Sequence, residues 1–258
     1  MKFLFRFALL ALLPLSLLRA DDPVAKDKAP DRAKLPFEQE FSNLPAEKRE
    51  EFSRLATEAK RLYDQKRIFE TVDKIKAAQK VFPNHPEITT LEGACYVEFR
   101  AFDKARVCFD RANELAPGQA SIVFNIAELE YVTKDWKHAE ATLTKVLDMV
   151  KDQKNQTQLS RLVEFKILLC KLKLGKIEEA KKMADNHDFM DDSPYSYYAA
   201  AAIAYQEGRE IDAEAELARG GRVFKDGGMI SPWQDTLVEF GYIKGFFGGE
   251  EAETTPEH

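Results

Sequence analysis

Residues Leu91 to Pro117 read LEGACYVEFRAFDKARVCFDRANELAP. Their apolar positions recur at helical spacing, with no alternating strand pattern. The stretch also repeats itself along the chain. Ala59, Gly93 and Ala127 lie 34 residues apart, as do Ile68, Phe102 and Trp136, and Ile75, Phe109 and Leu143. Ala78 and Ala112, Ala105 and Ala139, and Pro83 and Pro117 keep the same interval. Several residue classes thus share one period and one phase, the mark of a repeat array.

Each recurring position has a physical role. Two antiparallel helices that approach closely need a small residue at the contact: Ala59, Gly93 or Ala127 on the first, Ala105 or Ala139 on the second. Phe102, Trp136, Phe109 and Leu143 fill the seam around it. Proline then stops the second helix, because it lacks an N–H and clashes with the preceding turn.

Gly93, Tyr96, Phe102, Ala105, Phe109, Ala112 and Pro117 occupy signature places of the tetratricopeptide repeat (TPR), and the segment resembles that family. Thr89 and Glu92 stand where the family carries an early Trp and Leu, the departure from the pattern. The resemblance implies an all-α, right-handed superhelical array of about five TPR-like hairpins with a C-terminal capping helix. The units are expected near 52–85, 86–119, 120–156, 157–192 and 193–228, with the cap at 231–247. Ala139 and Ala180 are 41 residues apart, so about seven are inserted, expected to lengthen a helix around Lys145–Gln156. The first helix of the fourth unit fits either of two registers. Ser193-Pro194 is expected to start a helix over Tyr195–Gln206, which Gly208 turns into Ile211–Arg222. Ser231 reads as an N-cap, with Pro232 at the first helical position and Gln234 three residues on.

The flanks differ in composition. Met1–Ala20 has basic Lys2 and Arg6, then an apolar run shorter than a spanning helix, then Asp21-Asp22; this is the plan of a secretory signal peptide. Export to a periplasmic or extracellular space, as in a bacterial envelope, is expected. Membrane association is expected only through an uncleaved signal segment, if at all. Residues 21–45 hold four prolines and many charges and read as a flexible linker. Residues 248–258 read as an acidic tail. The repeat domain therefore spans 46–247.

Of 258 residues, 38 are Lys or Arg and 44 are Asp or Glu, a net charge of −6. With 45% hydrophobic and 32% charged residues, the chain is core-forming and not disordered. Its acidity argues against a nucleic-acid partner bound by bulk positive charge. Three cysteines, Cys95, Cys108 and Cys170, leave one unpaired in any disulfide scheme. Hairpin geometry puts Cys95 and Cys108 at similar distances from the turn, so they read either as small buried apolar residues or as a bridge.

No Walker loop, Rossmann loop or G-x-S-x-G appears, and no cofactor or metal is expected. His187, Asp188, Asp191 and Asp192 form the one His/acid cluster, which reads as a solvated loop before Ser193. The resemblance implies a non-catalytic protein that holds a protein or peptide in a groove lined by the first helices. Family geometry places Lys60, Tyr63, Glu87, Glu98, Ser121, Phe124, Tyr131, Tyr195, Tyr198, Tyr205 and Gln206 there. Phe124, Tyr131, Tyr198 and Tyr205 would be apolar anchors and Lys60 and Glu98 would set polarity; rings packed between repeats are the alternative. On the anchor reading, Tyr198 and Tyr205 are replaceable without loss of stability. Chaperone-tail recognition is not expected, since only Asn125 suits a carboxylate clamp. The competing classes are an enzyme or accessory subunit with a site in 151–195, and a self-associating spacer.

Overall fold

The computed structural model describes residues 34–153 and 156–243; the expected signal peptide and acidic tail lie outside them. Among the described residues there are twelve helices and no strand. In chain order they are α1 (Pro36–Ser42), α2 (Ala46–Asp64), α3 (Ile68–Val81), α4 (Pro86–Glu98), α5 (Phe102–Leu115), α6 (Ala120–Val132), α7 (Trp136–Val150), α8 (Thr157–Lys173), α9 (Ile177–Ala184), α10 (Tyr195–Gln206), α11 (Glu210–Val223) and α12 (Gly227–Phe240). The chain divides into an N-terminal unit ending at Asp152 and a C-terminal unit beginning at Gln153.

In the N-terminal unit α2 packs on α3, α4 on α5 and α6 on α7, and successive hairpins meet through α3 with α4 and α5 with α6. Equivalent positions have equivalent environments. Ala59, Gly93 and Ala127 are buried; so are Ala105 and Ala139, and Ile75, Phe109 and Leu143. The three large residues opposite the small positions vary in step with them. A Cβ at Gly93 would fall 2.6 Å from Phe109 Cε1 and 3.1 Å from Cys108 Cβ. The unit with Phe109 therefore requires glycine, while the units with Ile75 and Leu143 carry alanine.

The turns inside the hairpins repeat as well. Lys66, Arg100 and Lys134 adopt left-handed backbone at φ 60°, 57° and 63°, and Gly175 and Gly208 adopt it at 73° and 75°. In each case the next residue donates its N–H to a carbonyl five residues back: Arg67 to Leu62, Ala101 to Tyr96, Asp135 to Glu130, Lys176 to Lys171, Arg209 to Ala204. These are five Schellman closures of the same form. Gly175 fixes the register of the fourth hairpin, which the sequence left open.

The seven inserted residues are distributed differently from expectation. Compared with the α5–α6 interval, α7 gains one residue, the loop to α8 gains two and α8 gains four. α7 ends at Val150, so the expected long helix through Gln156 does not form. The extra length goes to α8, an apolar helix buried from Leu162 to Cys170 on every face.

Two further expectations are corrected. Residues 36–45 are not exposed linker: Pro36–Ser42 is helix α1, with Pro36 in its first turn and Leu35 N–H donating to Glu38 Oε2 at 2.7 Å. Phe37 and Phe41, four residues apart on one helical face, pack against Phe52, Phe82 and His85. Counting prolines across 21–45 concealed that pair. The last helix starts at Gly227, not Ser231, with the Asp226 carboxylate capping Gly228 N–H at 2.9 Å. Pro232 thus lies inside α12, where a missing N–H and ring clash cost about 3 kcal/mol in an unsupported helix.

None of Cys95, Cys108 and Cys170 is in a disulfide. Burial pushes the Cys95 thiol up to about 12 and the Cys108 thiol up to about 11, the character of packed apolar groups.

Two outcomes follow from this packing. Gly93→Ala should destabilise the fold by about 1–3 kcal/mol through overpacking against a fully buried ring. Adding Phe109→Leu, the pairing the third unit uses, should recover most of that loss in urea unfolding; purely additive effects would show that the two sites do not touch. The second outcome concerns His85, which is 7% exposed within a nest of phenylalanines. Burial pulls its pKa from 6.5 to about 4, so the folded chain keeps it neutral while the unfolded chain takes up a proton. Stability is then fully present above about pH 6.5 and falls by about 3 kcal/mol as pH drops toward 4. His85→Phe should flatten that part of the stability–pH curve, and an unchanged slope would contradict the assignment.

Candidate functional site

The residues expected along the inner face separate into three groups. Tyr63, Phe124, Tyr131, Tyr195 and Tyr198 are each at most 4% exposed and belong to the core. Tyr131 meets Trp136 edge-on at 5.2 Å, and the Tyr195 hydroxyl donates to Met183 O at 2.8 Å. Five of the eleven groove residues are therefore not available as freely exposed anchors, and Tyr198 at 1% exposure cannot be removed without loss of stability. The physical reason is geometric: a first helix buries its aromatic stripe against neighbouring helices before any remainder reaches solvent. Lys60 and Glu98 are half-buried and ion-paired, Lys60 with Asp64 at 3.7 Å and Glu98 with Lys66 at 2.8 Å. Tyr205 is half-buried and stacks on Tyr242 at 5.3 Å.

The N-terminal unit holds a cavity of about 330 Å³ between α1, the start of α4 and the start of α6. Phe37, Phe41, Pro86, Ala116 and Ile122 supply apolar wall, and Glu87, Thr90, Gln119 and Ser121 supply polar groups. Glu87 and Ser121 are the second places of the second and third repeats, both expected on the inner face. Burial raises the Glu87 pKa, opposed by the nearby Lys60 ammonium. The cavity exists because α1 stands over the first turns of α4 and α6. It escaped the sequence reading along with α1; the Phe37/Phe41 spacing was the available signal.

In the C-terminal unit the inner positions are occupied. Trp233 of α12 lies 5.3 Å from Phe165, 5.7 Å from Tyr198 and 6.4 Å from Tyr195. Tyr242, just past α12, stacks on Tyr205 and donates its hydroxyl to Gln206 Oε1 at 2.7 Å. Glu239 Oε2 is 3.6 Å from the ammonium of Lys166, which is only 3% exposed, and Lys173 sits 4.3 Å over the Phe240 ring. α12 therefore runs along α8 and α10 in their own direction.

The His/acid cluster is a solvated loop only in part: Asp188 and Asp192 are exposed, while His187 and Asp191 pack against α8. His187 Nε2 pairs with Glu164 Oε2 on α8, and its Nδ1 is 3.8 Å from Asp191. Arg161 bridges both carboxylates, at 3.3 Å to Glu164 and 3.0 Å to Asp191. Burial would raise the Asp191 carboxyl, but hydrogen bonds from Ser193 and then from the Arg161 guanidinium hold it below its usual range. Asp188 instead caps the Met190 N–H, and Asp192 offers its carbonyl to Gln158. The cluster is a polar quartet that ties residues 185–194 to α8. Glu164, its central acid, lies 23 residues from His187, beyond the reach of local motif reading.

No family model matches this chain, and no curated protein matches it. Solved structures do. PilF of Pseudomonas aeruginosa superposes with a TM-score of 0.54 at 13% identity, over 74% of this chain and 92% of that one. YrrB, described as a TPR protein with an unusual peptide-binding site, superposes with a TM-score of 0.50 at 13% identity, over 75% and 95%. With its uniform hairpins, repeated Schellman turns and 34-residue stride, the chain has the tetratricopeptide-repeat fold.

Proposed function

We propose that this is an exported scaffold which binds a protein or peptide segment, in assembly of an envelope complex. The observation that carries the reading is the cavity beside Glu87 and Ser121, an open apolar recess on inner-face positions of helical hairpins. Its volume suits one large apolar side chain of a visiting segment, fixed in orientation by a few polar wall groups. The peptide-binding description of YrrB and the interaction role of repeat arrays agree with such a use. Met1–Ala20 supplies the export signal, and the purified mature chain would begin at or near Asp21.

Site-specific photocrosslinking in cells tests the reading. A photoreactive residue at Ser121 should capture a discrete partner, while one at exposed Lys137 on α7 should not. Ser121→Trp, which fills the recess, should remove the adduct formed from a second probe at Gln119 and leave the melting temperature nearly unchanged. Equal labelling from both faces, or an adduct indifferent to the filled recess, would refute it. Mass spectrometry of envelope-derived protein should show loss of the first twenty residues; an intact N-terminus would refute cleavage.

A further inference from the structure

We infer that the α8–α10 face of the C-terminal unit is a receptor for a partner's amphipathic helix, and that α12 is a displaceable tenant of that receptor. Three observations carry this, independently of the cavity in the N-terminal unit. First, α12 departs from the array's own packing rule. In the N-terminal unit α4 packs on α3 and α6 on α5, but α12 packs chiefly on α8 and only slightly on its chain neighbour α11. Second, its contacts have the form of a ligand set: Trp233, Leu237 and Phe240 at i, i+4 and i+7 are buried, and Glu239 answers the buried Lys166. Third, the segment is a poor helix on its own terms. It begins Gly227-Gly228, carries Pro232 internally and touches α11 little. A strong contact set on a weak helix describes an occupant that a better helix with the same side chains can replace.

The chemistry of that partner follows from the face. It needs a large aromatic residue to enter among Phe165, Tyr195 and Tyr198, and apolar residues four and seven positions on. An acidic residue at the sixth would meet the Lys166 ammonium as Glu239 does, at 3.6 Å.

The probe is a labelled peptide of residues 227–243 carrying P232A, titrated by fluorescence anisotropy into the full-length wild-type chain. Saturable binding is expected with Kd on the order of 10–100 µM. The same peptide with Trp233→Ala should bind at least tenfold more weakly. Introducing P232A into the full-length chain stabilises α12 in place, and should weaken peptide binding at least tenfold by lowering the open population. Ser121→Trp in the chain should leave binding unchanged. Absence of saturable binding, equal affinity of the W233A peptide, equal affinity of the P232A chain, or loss of binding in the S121W chain would each overturn the assignment.

Discussion

The close approach of paired helices at one small residue per hairpin sets everything else in this protein. At Gly93 no side-chain atom fits above Phe109, and at the equivalent positions alanine faces Ile75 and Leu143. The pairing fixes the distance between the helices of a hairpin and hence the stride at which hairpins stack. A core of this kind is close-packed, so its members change together and not singly. The Schellman turns supply the second constraint: the same hydrogen bond closes each hairpin, whether the left-handed residue is lysine, arginine or glycine.

With the hairpins fixed, the first helices must divide their surface between core and groove. The core takes the larger share. Tyr63, Phe124, Tyr131, Tyr195 and Tyr198 lie on the expected helices yet are buried, because aromatic rings contribute most when fully withdrawn from water. The accessible surface is left to places where a flanking helix stands off from the array. In the N-terminal unit α1 does so and leaves a recess. In the C-terminal unit α12 does the reverse and fills the face.

The charged groups follow the same division. Most ion pairs join neighbours three or four residues apart on exposed helix faces, where such pairs contribute little. Others join distant residues, and among the described residues Lys166 with Glu239 and the Arg161–Glu164–His187–Asp191 quartet, both built on α8, are the most withdrawn from water. α8 is the longest helix of its unit and is buried all round, so its polar residues require partners brought from distant parts of the chain.

The sequence by itself determined the helical class, the stride, the hairpin turns and the positions of close contact, because each depends on local spacing and on residue size at a repeated place. The Phe37/Phe41 pair of α1 and the Asp226 cap of α12 were present in the sequence, but proline counts and a Ser-Pro motif outweighed them. Which faces stay open, that Glu164 meets His187, and that α12 lies on α8 were decided only in three dimensions. Those outcomes depend on which apolar surface is buried first when non-adjacent helices compete for it, and no local pattern encodes that competition.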